Sequence, residues 1–185
     1  MNIKDVVLIA LFAALIAALS LVPPLPLGVV PVPITLQTLG VMLAGALLGP
    51  RRGLLAVLLY TLLWLVGLPI LPGGRGGFGV LAGPTGGFLV GMIAGAFVIG
   101  ALVDLLLRRG QTALRQILLY LLSCVIGGVL VVYVFGVPWL ALVTGMGFAK
   151  ALAGSLVFLP GDLVKAVVTS VVATRVARAW PMQLK

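Results

Sequence analysis

Two side chains able to do polar chemistry stand in a run that is otherwise almost wholly apolar. Asp162 and Lys165 lie in Phe158-Leu159-Pro160-Gly161-Asp162-Leu163-Val164-Lys165. Proline suits the first helical position, so Pro160 is expected to open a helix with both charges in its first two turns. A spacing of i, i+3 sets them on one side. A charge at the middle of a membrane span costs roughly 2.5–3.5 kcal/mol, and less near an interface, so ionisable residues in spans are functional by default. The alternative is an interfacial ion pair, with Asp162 complementing the helix N-terminal dipole and Lys165 snorkelling outward. A third candidate is Gln37, in Pro33-Ile34-Thr35-Leu36-Gln37-Thr38. Its amide offers two donors and an acceptor, which suits a neutral polar ligand. Thr35 could serve as a helix cap.

Composition says where this chemistry takes place. Of 185 residues, 63% are hydrophobic, 12 are Lys or Arg, 3 are Asp, and there is no Glu or His. The mean hydropathy is +1.36. Soluble domains carry roughly 25% charged residues, and so few charges cannot cover this much apolar surface. The chain reads as an all-α integral membrane protein, a single transmembrane domain over 1–185. The lack of His and the single Cys124 exclude His/Cys metal sites and His-dependent triads. Three Asp leave little for paired-carboxylate catalysis. No Gly-Lys dipeptide occurs, so there is no P-loop. The reading is therefore of a non-enzyme with no cofactor. The high pI reflects membrane topology, not nucleic-acid binding.

A span needs about 20 apolar residues. Six runs approach this: 6–22, 34–49, 53–71, 84–107, 115–135 and 160–180. Between the first two, Pro23, Pro24, Pro26, Pro31 and Pro33 forbid a regular helix. The stretch 138–159 reads as a short interfacial helix or a structured loop. Cytoplasmic loops carry the Lys/Arg excess. With the amino terminus inside, Lys4, Arg51, Arg52, Arg108, Arg109, Arg115, Arg175, Arg178 and Lys185 fall on the inner side, and Arg75 and Lys150 on the outer. Both termini are thus expected in the cytoplasm. A signal-like start ending at Ala18-Leu19-Ser20 is set aside, because cleavage would leave five spans and break this pattern.

The Gly-rich loop between the third and fourth spans contains Gly74-Arg75-Gly76-Gly77-Phe78-Gly79. It matches G-x-G-x-x-G, but no strand precedes it, so the dinucleotide reading fails. It reads instead as an extracellular lid, with Phe78 as its apolar contact and Arg75 as its charged rim. Small residues recur at helical spacing. Ala10, Ala14 and Ala18 could dock another subunit, whereas Gly83, Gly87, Gly91 and Gly95 suit packing within the bundle. Asp104 and Arg108 look like a helix-end pair. Tyr60, Trp64, Tyr120, Tyr133 and Trp139 could be interfacial anchors or pocket walls.

Four co-linear motifs carry a resemblance. They are Pro33-Ile34-Thr35-Leu36-Gln37-Thr38, Leu43-Ala44-Gly45-Ala46-Leu47-Leu48-Gly49, Gly83-Pro84-Thr85-Gly86-Gly87-Phe88-Leu89-Val90-Gly91 and Leu159-Pro160-Gly161-Asp162-Leu163-Val164-Lys165. Together they resemble the BioY family, the biotin-specific substrate-binding (S) components of energy-coupling factor (ECF) transporters. The resemblance implies six transmembrane helices in a prokaryotic cell membrane and capture of biotin from outside. It also implies work with a transmembrane coupling subunit and two cytoplasmic ATPases, which fits the missing P-loop. The family's Asp and Lys of the last helix carry over to Asp162 and Lys165, and its docking stripe to Ala10, Ala14 and Ala18. Gln37, Thr35, Phe78 and Thr85 complete the candidate biotin contacts. Asp162 can accept from a ureido N–H. Lys165 or Gln37 can donate to the ureido oxygen, or Lys165 can meet the carboxylate. Two other classes remain: a self-sufficient proton-coupled transporter of a vitamin-like solute using Asp162, and a structural membrane subunit without ligand.

Overall fold

The computed structural model describes residues 2–24, 31–108 and 110–179. Pro26, Arg109, Trp180 and Lys185, which enter the sequence reading above, lie outside these. Helix α1 (Ile3–Ser20) starts at a reciprocal capping box. The Asn2 side chain accepts from the Asp5 amide at 3.1 Å, and Asp5 Oδ2 accepts from the Asn2 amide at 3.0 Å, so two otherwise orphaned donors are satisfied. Asp5 Oδ1 also meets Arg52 Nε at 3.0 Å, tying the start of α1 to the middle of the next helix.

That helix, α2 (Gln37–Leu65), is broken at Gly49, which has φ 80° and ψ −177°. Glycine takes such a conformation without the penalty a Cβ brings, and Pro50 follows. The chain reverses there. A Cβ on Gly53 would lie 3.0 Å from the Ala44 carbonyl oxygen, although residues nine apart in a straight helix are about 13 Å apart along the axis. Thus α2 is a hairpin of two arms, and the expected second and third apolar runs fall on them. Its second arm returns to the far end of α1, where Tyr60 Oη lies 2.8 Å from Ser20 Oγ.

The chain continues through a short 3-10 turn (Phe78–Val80) into α3 (Gly86–Leu106), then α4 (Ala113–Cys124), a π-helical stretch (Val125–Val131) and α5 (Val132–Thr144). Helix α6 (Phe148–Ser155) and a 3-10 turn (Leu156–Phe158) lead into α7 (Leu159–Ala179). Among the described residues five helices are long and apolar enough to cross a membrane: Ile3–Ser20, Gln37–Leu65, Gly86–Leu106, Ala113–Thr144 and Phe148–Ala179. Among the described residues there is no β-sheet; an isolated bridge joins Leu71 and Arg75.

One expectation needs correction. The fifth run does not stop near residue 135 but passes through Pro138 to Thr144. Its end is set by Gly145 in the left-handed conformation, φ 67°, a common C-terminal stop. Proline inside a membrane helix, as at Pro138, is tolerated because neighbours re-satisfy the freed backbone groups. Pro160 sits in the first turn of α7, as expected, although that helix starts one residue earlier at Leu159 and is entered directly from α6 and a 3-10 turn.

Helix α3 is held by backbone-close contacts, as the glycine stripe suggested. A Cβ on Gly91 would lie 2.9 Å from the Val132 Cα, and one on Gly95 2.5 Å from the Gly127 oxygen. On α2, a Cβ on Gly45 would meet the Ala96 oxygen at 2.7 Å. Small residues let membrane helices approach this closely. Gly100 is a tight case too: its Cβ would fall on the Gly49 and Pro50 backbone at the hairpin tip, which cannot swing aside. Gly100→Val is therefore expected to cost about 3 kcal/mol, the upper part of the overpacking range. Thermal melting of the detergent-purified protein would read this, and an unchanged midpoint would show that the tip yields.

Candidate functional site

The Ser20 end of the bundle holds a cavity that opens to solvent at its mouth. The segment 31–38 forms one wall and leads into the first arm of α2. The turn after the second arm supplies Leu71, Pro72 and Arg75. Helices α3, α5 and α7 supply Phe88, Tyr133 and the Asp162–Lys165 pair. Most of the lining is apolar, the character expected of a small-molecule site with a few placed polar groups.

Those polar groups form one network at the cavity floor. Asp162 is 6% exposed and Lys165 7%. Lys165 Nζ donates to Asp162 Oδ1 at 2.9 Å and to Thr38 Oγ1 at 2.9 Å. Tyr133 Oη donates to Asp162 Oδ2 at 2.9 Å. A longer contact of 3.4 Å runs from Thr38 Oγ1 to Asp162 Oδ1. A buried charge is costly unless paired and hydrogen-bonded, and here both charges are. Beside them Gln37 is 2% exposed, and its Nε2 finds no hydrogen-bond partner among the described residues. A buried donor left unmade costs roughly 1–3 kcal/mol. Gln37 lines the cavity, so a ligand acceptor entering it would relieve that cost.

Tertiary structure alone brings Thr38 and Tyr133 into the site. Thr38 directly follows Gln37 in sequence and was visible as part of the same motif. Tyr133 had no local signal beyond being an aromatic in an apolar run. It directly follows Val132, the first residue after the π-helical stretch. A π turn inserts one residue into the α-helical ladder, so the stretch sets the face on which Tyr133 emerges. Phe88 packs edge-on against Tyr133, ring centroids 6.1 Å apart. It does the same to Phe158 at 6.5 Å, which gives the cavity an aromatic wall.

The other expected residues divide. Thr35 and Thr85 line the cavity, and so does Arg75. Phe78 does not: it is 73% exposed, on the 3-10 turn outside the lining. The loop around it is tightly folded. Gly77 donates to the Trp64 oxygen at 2.6 Å and Leu71 to the Arg75 oxygen at 2.9 Å. Tyr60 and Trp64 are fully buried scaffold, and Tyr120 is buried too, whereas Trp139 donates to the Gly83 oxygen at 3.0 Å and pins the approach to α3. Asp104 and Arg108 do not form a side-chain ion pair; the Arg108 guanidinium donates to the Asp104 backbone oxygen at 3.1 Å. Ala10, Ala14 and Ala18 all lie on an exposed face of α1, while Ile9, Phe12, Ala13 and Ile16 pack inward. No cluster of three metal-ligating side chains occurs among the described residues.

Comparison with known proteins agrees over nearly the full length. A profile of the BioY family matches residues 1–182. The chain is 53% identical over 182 residues to the biotin transporter BioY of Rhizobium etli, covering 98% of this chain and 97% of that protein. It is 48% identical to the biotin transporter BioY of Rhodobacter capsulatus, over 98% of this chain and 97% of that one. It also resembles the crystal structure of the S-component for biotin from an ECF-type ABC transporter, with a TM-score of 0.87 and 34% identity. That match covers 95% of this chain and 92% of the other.

Proposed function

The chain belongs to the BioY family, and on that basis we propose that it captures biotin and carries it into the cell as the S component of an ECF-type transporter. It is a multi-pass protein of the cell membrane and not an enzyme. The observation that carries the reading is the cavity floor: a buried Asp162–Lys165 pair beside an amide donor, Gln37, that has no partner within the described fold. Biotin has an apolar bicycle, a ureido group with N–H donors and one acceptor, and a carboxylate tail. Asp162 can accept from a ureido N–H, Gln37 or Lys165 can donate to the ureido oxygen, and Phe88 and Phe158 offer an apolar wall to the bicycle. Thr35 and Thr85 belong to the same lining. Phe78 could reach a bound ligand only if its turn moved. Calorimetric titration of the purified protein is expected to give saturable biotin binding at one site per chain. No heat and no thermal stabilisation with biotin would remove this function.

The ECF reading implies the partners: two cytoplasmic ATPase subunits, which fits the missing P-loop, and a membrane coupling subunit met through Ala10, Ala14 and Ala18, in a lipid bilayer. The two arms of α2 support counting it as two passes. Six passes over a single domain, 1–185, then put both termini in the cytoplasm and the Gly-rich loop outside, with the charge bias to match. Cysteines introduced at Arg51 and near Arg108, with Cys124 replaced, should react with impermeant maleimide only in inside-out vesicles. Labelling of either from outside intact cells would reverse the orientation.

A further inference from the structure

The end of the bundle opposite the cavity carries a second polar cluster, and it is basic. The connection from α3 to α4 is folded around Gln111, whose Oε1 accepts from the Arg108 amide at 3.2 Å and whose Nε2 donates to the Leu106 oxygen at 3.2 Å. Two guanidinium groups are fixed to this turn. Arg108 Nη1 donates to the Asp104 and Leu107 oxygens at 3.1 and 2.9 Å. Arg178, in the last turn of α7, donates through Nε to Gln116 Oε1 at 3.1 Å and through Nη2 to the Gln111 oxygen at 3.3 Å. Gln116 is 3% exposed, so the clamp on Arg178 is rooted in the fold. Arg115 stands beside Gln116 in the first turn of α4 and is exposed. The two ion pairs among the described residues, Asp5–Arg52 and Asp162–Lys165, leave all three arginines without a carboxylate. Asp104, the acid nearest in sequence, gives Arg108 its backbone oxygen and not its side chain. Arginine carries five N–H donors, and Arg108 keeps its Nε and Nη2 edge free. That edge can hold two oxygens of one phosphate. The surface above the cluster says which phosphate. Leu114, Leu118 and Leu122 are all exposed, and their spacing sets them on one face of α4. An apolar stripe therefore rises from the arginines into the bilayer, which is the layout of a headgroup with an acyl chain attached.

We propose that this corner binds an anionic phospholipid of the adjoining leaflet, its phosphate on Arg108, Arg115 and Arg178 and an acyl chain along the leucine stripe of α4. The purified protein can be melted in a neutral detergent with phosphatidylglycerol, phosphatidylcholine or inorganic phosphate added, and the retained lipid weighed by native mass spectrometry. Phosphatidylglycerol should raise the midpoint by about 3 °C and saturate, because a ligand held only by the folded state stabilises it by mass action. Phosphatidylcholine lacks the net charge and inorganic phosphate lacks the chains, so neither should shift it. Arg108→Gln/Arg115→Gln should lose both the shift and the retained lipid. Lys4→Gln/Arg51→Gln removes the same charge elsewhere on that end and should keep both. Arg115→Gln alone, which breaks no hydrogen bond of the fold, should lose about half the shift, so the test stands if the double variant fails to fold. Equal losses in the two double variants would mean diffuse attraction to the membrane face and overturn the site. An equal shift with phosphatidylcholine, the full shift with inorganic phosphate alone, or no response in the wild type would overturn it as well.

Discussion

Asp162→Asn is expected to weaken biotin binding by ten- to a hundredfold or more, and Lys165→Ala by a comparable factor. Hydrogen bonds to charged groups contribute roughly 1.5–3 kcal/mol each, and about 1.4 kcal/mol is tenfold in affinity. The asparagine keeps the shape but turns a donor toward groups that already donate, since Lys165 and Tyr133 both give their protons to Asp162. Stability should fall as well. With both residues at the water's edge, as their place in sequence suggested, the fold would largely persist. At 6% and 7% exposure the pair is instead buried, and breaking such a pair by removing one partner costs about 3–5 kcal/mol. Lys165→Ala should be the milder of the two for the fold, because Asp162 keeps Tyr133 and Thr38 as donors. Calorimetry and melting on both singles and on Asp162→Asn/Lys165→Met would separate the roles. A purely structural pair predicts lost stability, recovered in the double variant, with affinity intact in whatever protein remains folded. Wild-type biotin affinity in both singles would sink the site.

Ala14→Trp should abolish ATP-driven biotin uptake while leaving biotin binding to the purified subunit within about twofold. Ala14 lies on the exposed face of α1 with Ala10 and Ala18, away from the inward-packed Phe12 and Ile16. A large side chain there meets no neighbour within the chain. Against a partner helix it would prevent the close approach that small residues permit. The coupling subunit should then no longer co-purify. Val134→Trp, exposed on α5, is the control for a bulky residue facing lipid and should leave uptake near normal. An intact complex with near-normal uptake in Ala14→Trp would remove the docking role from this face.

Sequence alone settled what depends on composition and short spacing. Fifteen formal charges among 185 residues force the chain into a membrane, because burial of apolar surface follows amount and not arrangement. The i, i+3 spacing put Asp162 and Lys165 together, because helix geometry is local. The missing P-loop spoke against ATP hydrolysis of the usual kind. Four short motifs, each quoted from the chain, sufficed to reach the family. Tertiary structure decided the rest. Tyr133 and Thr38 reach Asp162 across 29 and 124 residues, and no periodicity encodes such pairings. Gln37 was picked out in sequence by its amide, but only the fold shows that amide buried without a partner in the cavity lining. Phe78 looked like a contact because aromatics suit pockets, yet its turn carries it to the surface. Proline was an unequal guide. Pro138 read as the start of a separate segment and lies inside α5, a place that membrane helices tolerate, whereas Pro160 stands in the first turn of α7 as expected. The reversal of α2 instead needed Gly49 in a positive-φ conformation against the bare backbone of Gly100. A break in a helix is a local possibility. Whether it is used depends on what the neighbouring helix leaves room for, and that is a property of the packed bundle.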